Sequence, residues 1–153
     1  MKVKQIVLIF IFLLLIVTAC QQKPASNLAN PEDSSPTLSV PTPAETTAVI
    51  HGTIISKETN KAPEAIFYLA ANSTANTKDA PAVLAFSNQN SPRAEVTDVG
   101  EFVFRNVEPG QYAMMLWFPS KEPFFIHALD GQDYMWVNAK AGDMLELGEV
   151  IVP

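Results

Sequence analysis

One cysteine, Cys20, and two histidines, His51 and His127, are all the chain offers of the side chains that usually form disulfides or bind transition metals. A lone cysteine excludes an intramolecular disulfide and any cysteine-type zinc site, so the fold has to stand on its hydrophobic core. Cations are scarce as well: 10 Lys and Arg against 16 Asp and Glu give a formal net charge of −6. That balance lacks the clustered Lys and Arg of a nucleic-acid binder and the polybasic patch that grips anionic lipid. The histidines form no H-x-H or H-x₃-H pair, and no G-x-S-x-G nucleophile elbow occurs. Four methionines, Met114, Met115, Met135 and Met144, have the thioethers that suit copper(I). Consecutive Met114 and Met115 point to opposite faces of a strand, however, so core filling is the simpler role. Asp98 and Glu101 flank a turn, where capping accounts for them better than acid–base chemistry. The residues therefore point to no catalytic group, metal or cofactor.

What is present begins with an apolar run. Lys2 and Lys4 precede Ile6 to Val17, an unbroken stretch of twelve apolar residues, followed by the small pair Thr18-Ala19 and then Cys20. That order is the pattern of a secretory signal peptide. As a helix, Ile6 to Ala19 reaches only about 21 Å at roughly 1.5 Å per residue. A bilayer core of about 30 Å needs about 20 apolar residues. Cleavage between Ala19 and Cys20 is thus expected in place of a membrane span. Val17-Thr18-Ala19-Cys20 resembles the lipobox of bacterial lipoproteins, in which the cysteine thiolate takes a diacylglyceryl group and the freed amine an acyl chain such as palmitate. The resemblance implies an envelope protein held to a membrane by Cys20, with its domain on the extracytoplasmic side. Gln21 lacks the aspartate associated with inner-membrane retention, which favours the outer membrane in a cell that has two. Loss of Lys2 and Lys4 with residues 1–19 would leave a net charge of −8.

Residues 20–47 read as a disordered tether. Pro24, Pro31, Pro36, Pro41 and Pro43 lie among Ser, Thr, Asn and Ala, with only Leu28, Leu38 and Val40 as sizeable apolar side chains. Such a composition buries too little surface to offset its ordering entropy.

From Ala48 to Pro153 the pattern changes to short strand-like segments separated by turns. These are Val49–Ile55, Glu64–Ala71, Ala82–Phe86, Arg93–Thr97, Glu101–Arg105, Gln111–Phe118, Phe124–Ala128, Tyr134–Ala139 and Met144–Val152. Glu101-Phe102-Val103-Phe104-Arg105 alternates cleanly, which sends Phe102 and Phe104 to one face. Phe67 and Leu69 share a face opposite Ile66 and Tyr68; Tyr112, Met114, Leu116 and Phe118 form another inward row. Gly100 supplies a positive φ at the Asp98-Val99-Gly100 turn, where Asp98 is placed to bond its own backbone. Pro109-Gly110 fits the centre of a type II turn. Many short strands at such spacing predict an all-β antiparallel sandwich of about seven strands.

Ile50-His51-Gly52-Thr53-Ile54, Ala65 to Leu69, Thr97-Asp98-Val99-Gly100-Glu101-Phe102 and Pro109-Gly110-Gln111-Tyr112 together resemble the carboxypeptidase regulatory-like domain. The resemblance covers residues 48–153. It implies a prealbumin-like, immunoglobulin-like sandwich of the kind that serves as a structural or recognition appendage. Trp117, predicted outward beside Ala113 and Met115, and the aromatic residues Tyr68, Tyr134 and Trp136 are the candidates for contact with a protein or glycan partner.

Overall fold

The computed structural model describes residues 38–119, 121–128 and 131–153. The described residues form nine strands: β1 (Ala48–Ser56), β2 (Ile66–Asn72), β3 (Leu84–Ala85), β4 (Glu95–Val96), β5 (Glu101–Val107), β6 (Gly110–Trp117), β7 (Phe124–Phe125), β8 (Trp136–Ala139) and β9 (Met144–Val152). Each of the nine segments read from the sequence carries one. β3, β4 and β7 are two residues long, which is why the count exceeds seven.

The strands make two sheets. One has the order β4-β5-β1-β9; the other runs β3-β2-β6, with β7 and β8 sharing the far edge of β6. Residues 92–96 pass between them: the Leu69 and Ala94 N–H groups bond across to Pro92 and Phe67, and Glu95-Val96 then pairs with β5. All pairings are antiparallel except β1 with β9, which run parallel. That pair departs from the purely antiparallel expectation, because the last strand arrives on β1 from the opposite end of the sandwich.

Between the sheets lies one core, in which Phe67, Phe102, Phe104, Ile50, Ile54, Leu69 and Met114 are fully buried. Phe67 meets both Phe102 and Phe104 edge-on, with ring centroids 5.0 Å apart in each case. Two β-bulges keep this face apolar. On β5 the inward residues are Phe102, Phe104 and then Val107, an odd step. Ile50 faces Phe104 but Ala48 faces Val107, so the extra residue of β5 is absorbed where Asn106 takes φ 53°. On β9 the inward row passes from Leu145 and Leu147 to Val150 and Val152. His51 opposes Glu146 while Thr53 opposes Glu149, and Gly148 takes up the slip at φ 65°. A side chain at Gly52 would put its Cβ 2.6 Å from the Gly148 carbonyl oxygen, so this bulge can form only against a glycine.

The turns differ in detail from the sequence reading. Gly100 has φ 89° as expected. Thr97, however, holds the turn in place of Asp98: its carbonyl accepts the Gly100 N–H at 2.9 Å and its hydroxyl accepts the Glu101 N–H at 3.1 Å. Gly110 is not at positive φ and opens β6, so Pro109-Gly110 is not a type II turn. A side chain there would crowd the Tyr112 ring, which lies 3.3 Å from where a Cβ would stand. The Tyr112 hydroxyl reaches back to donate to the Glu108 carbonyl at 2.9 Å, a tyrosine corner that ties strand to turn.

The folded part also begins before Ala48. Val103 is fully buried although it faces away from the other sheet. Its outward neighbours on β5 hold a strap across it: the Glu101 carboxylate accepts the Leu38 N–H at 3.1 Å, and Arg105 donates to the Ser39 carbonyl at 2.8 Å. The end of the tether at residues 38–47 is therefore part of the sandwich, pinned further by the Gly142 N–H on the Thr47 carbonyl. Leu38 and Ser39 are held through their backbone groups, and Val40 stays exposed, so the apolar residues of the tether gave no signal of it.

Two outcomes are expected. Gly100→Val forces a β-branched residue to positive φ, costing about 1–3 kcal/mol from backbone strain, and drives its Cβ into the Ile54 carbonyl. Phe104→Ala empties the inter-sheet contact at about 3–5 kcal/mol; thermal denaturation should show both as lowered melting temperatures. The Tyr112 phenol pKa is raised by burial and by the nearby Glu108 charge. Its stabilising contribution is complete below about pH 10, the unfolded value, and is lost as pH rises through the folded one. Denaturant midpoints should show Tyr112→Phe losing about 1 kcal/mol at pH 7 and declining less steeply than the parent above pH 10.

Candidate binding face of the β3-β2-β6-β8 sheet

Alternation along β2 and β6 sends one row to the core and the other to the sheet's outer face. Ile66 faces Trp117, Tyr68 faces Met115 and Ala70 faces Ala113, with Trp136 of β8 beyond Ala113 and Phe125 of β7 beyond Met115. This outer face is not bare. Tyr68, Ala70 and Met115 are buried beneath Ile66, Leu84, Phe86, Trp117 and Phe125, a satellite cluster under the flanking loops.

Trp117 points outward as alternation requires and is half-buried against this cluster. Tyr134 and Trp136 are also half-buried and stand edge-on at 5.5 Å, with Phe125 5.4 Å and His127 5.5 Å from Tyr134. Tyr68 is not a surface residue. It is 3% exposed, Phe86 packs edge-on over it at 5.2 Å, and its hydroxyl donates to the Asn88 carbonyl at 3.2 Å. The chain after β3 folds back over it, which period-2 patterning has no means to foresee. The other three do not form one patch. Trp136 sits opposite Ala113, and Trp117 is four residues further along β6, about 13 Å at strand rise. Tyr134 and Trp136 are together; Trp117 stands apart.

At the opposite end of the same face lies a group that sequence reasoning passed over. Asn72 Nδ2 donates to Gln111 Oε1 at 2.7 Å, and Gln111 Nε2 donates to Asn138 Oδ1 at 3.1 Å, a ladder of carboxamides across β2, β6 and β8. Asn72 Oδ1 is fixed from behind by the Thr74 N–H at 3.1 Å. Each of the three occupies an outward position, but only the strand register brings residues 72, 111 and 138 side by side.

Other chemistry is dispersed. His51 lies on β1 and His127 beside β7, in different sheets; among the described residues no three His, Cys, Asp or Glu side chains converge. Met114 and Met115 belong to the two separate apolar clusters. The Glu101 carboxylate is engaged by the strap. A cleft of about 510 Å³ opens beside Leu69, Phe86 and Tyr112 with Arg105 at its rim. That guanidinium is already paired with Glu95, at 3.0 Å and 3.1 Å, and with Ser39. Ala19 and Cys20 lie outside the described residues.

No family model, curated protein or solved structure matches the chain in the comparisons made. What the fold itself defines is an all-β, sandwich-like domain with one aromatic and carboxamide face.

Trp117→Ala should cost about 1 kcal/mol, since half of a large apolar side chain is removed from contact. Denaturant melts should rank it well below Phe104→Ala; a loss equal to that of Phe104→Ala would place the ring in the core.

Proposed function

We propose that the chain is a lipid-anchored protein of the bacterial cell envelope that displays a non-catalytic β-sandwich for structural or recognition purposes. The observation that carries this reading is Cys20, the sole cysteine, directly after Val17-Thr18-Ala19 at the end of a twelve-residue apolar run with lysines before it. Removal of residues 1–19 would leave Cys20 as an acylated N-terminus. Two or three acyl chains, each buried methylene contributing about 0.8 kcal/mol, anchor far more firmly than one. Residues 21–37 then act as a proline-rich spacer between the membrane and the strap at Leu38. Among carboxypeptidase regulatory-like modules, which the motifs around Gly100 and Tyr112 resemble, an appendage role of this kind is the natural one.

A second reading is supported by the half-buried rings of the outer face, Trp117 at one end and the Tyr134–Trp136 pair, separate from it, further along. An aromatic surface of this sort stacks against a sugar ring or a partner side chain, making the protein a carbohydrate- or peptide-binding surface lipoprotein. Nucleic acid is a poor partner for a chain of net charge −6.

The anchoring reading is tested with metabolic labelling by a palmitate analogue. The parent should carry the label in the membrane fraction, and Cys20→Ser should carry none, because a hydroxyl cannot replace the thiolate in the transfer. Label retained on Cys20→Ser would sink it.

A further inference from the structure

The carboxamide ladder borders a cleft of about 430 Å³, formed where the 73–76 loop and the β5–β6 turn rise beside β8. Asn72, Asn76, Gln111 and Asn138 line it, and no lining side chain carries a charge. The volume falls within the range of small-molecule sites, roughly 300–1,000 Å³. The wall is unusual in kind: four primary amides in an acidic protein, three of them held in fixed orientation by one another. The ladder runs donor to acceptor and ends at Asn138, whose NH₂ has no partner among the described residues. Asn76 has no side-chain partner there either.

Charged ligands find no counter-ion in this cleft, and a purely apolar ligand would strip water from four amides without replacing it. A ligand with many hydroxyl groups suits it, because hydroxyls and carboxamides each donate and accept. The second observation is Trp136. It lies two residues from Asn138 on the same face of β8, about 7 Å away along the strand. Its half-buried indole, packed edge-on by Tyr134, offers a rigid apolar surface. Hydroxyl-bearing edges and apolar C–H faces on one molecule are the chemistry of a sugar ring.

We infer that the cleft bounded by Asn72, Asn76, Gln111 and Asn138, together with the Trp136 indole, binds a neutral polysaccharide, the amides taking the hydroxyls of one pyranose and the indole stacking the next. The inference rests on the recognition reading but moves the contact from Trp117 to the opposite end of the face. It needs no acyl chain, so a result obtained in detergent solution stands whatever Cys20 carries.

The test is affinity electrophoresis of the full chain in non-ionic detergent, through gels containing dextran, xylan or galactomannan, with alginate as the anionic arm. Retardation is expected in at least one neutral gel. Asn138→Ala and Trp136→Ala should each weaken it about tenfold, the loss of one well-placed contact, while Trp117→Ala leaves it within about twofold. Asn138→Asp, which keeps the volume and adds a charge, should weaken it as much as Asn138→Ala. Every variant should still be folded at the assay temperature, with Trp117→Ala, at a stability loss of about 1 kcal/mol, serving as the control for destabilisation without loss of binding. No retardation in any neutral gel overturns the proposal, as does stronger retardation in alginate. Loss of binding in Trp117→Ala with none in Asn138→Ala would place recognition at the other end of the face and overturn this site.

Discussion

Phe67 holds the sandwich together. It comes from one sheet and meets Phe102 and Phe104 of the other edge-on at 5.0 Å. Without disulfides, this aromatic wedge and the aliphatic side chains around it carry the sheet-to-sheet attachment. The rest of the fold is arranged to keep that interface dry. The two bulges do so directly. Without the slip at Asn106, Val107 would leave the core; without the one at Gly148, Glu149 would enter it in place of Val150. A charge buried between sheets would cost far more than the local irregularity of a bulge.

The outer faces of the two sheets are handled differently. On the β1-β5-β9 sheet, Val103 is closed off by the strap at Leu38–Ser39. On the β2-β6 sheet the covering is made by side chains from its own edges, Phe86 on one side and Phe125 on the other. Covering of this kind leaves rings half in solvent. The rings are already fixed by their neighbours, so the recognition role proposed above would cost little further side-chain entropy.

The carboxamide ladder extends the same logic to polar groups. Asn72, Gln111 and Asn138 orient one another, so their free N–H groups are aimed before any ligand arrives. Preorganised donors of this sort favour hydroxylated ligands over water less by strength than by direction.

Sequence by itself determined the things that depend on neighbours in the chain. The quartet before Gln21 is contiguous, so its resemblance to a lipobox, on which the proposed anchor rests, is visible without a fold. Alternation placed Phe67 and Leu69 opposite Tyr68, and Phe102 and Phe104 inward, because strand periodicity is a local property. Gly100 was legible from its turn. Tertiary structure alone decided what depends on register and on loops that fold back. It buried Tyr68 under Phe86, because nothing in a period of two says that the chain after β3 returns across the sheet. It separated Trp117 from Trp136 and drew residues 38–47 into the fold through Glu101 and Arg105, contacts spanning more than sixty positions. It also set Asn72, Gln111 and Asn138 in one row, because side-by-side placement in a sheet is fixed by pairing between distant strands, and a single chain read in order carries no record of that pairing.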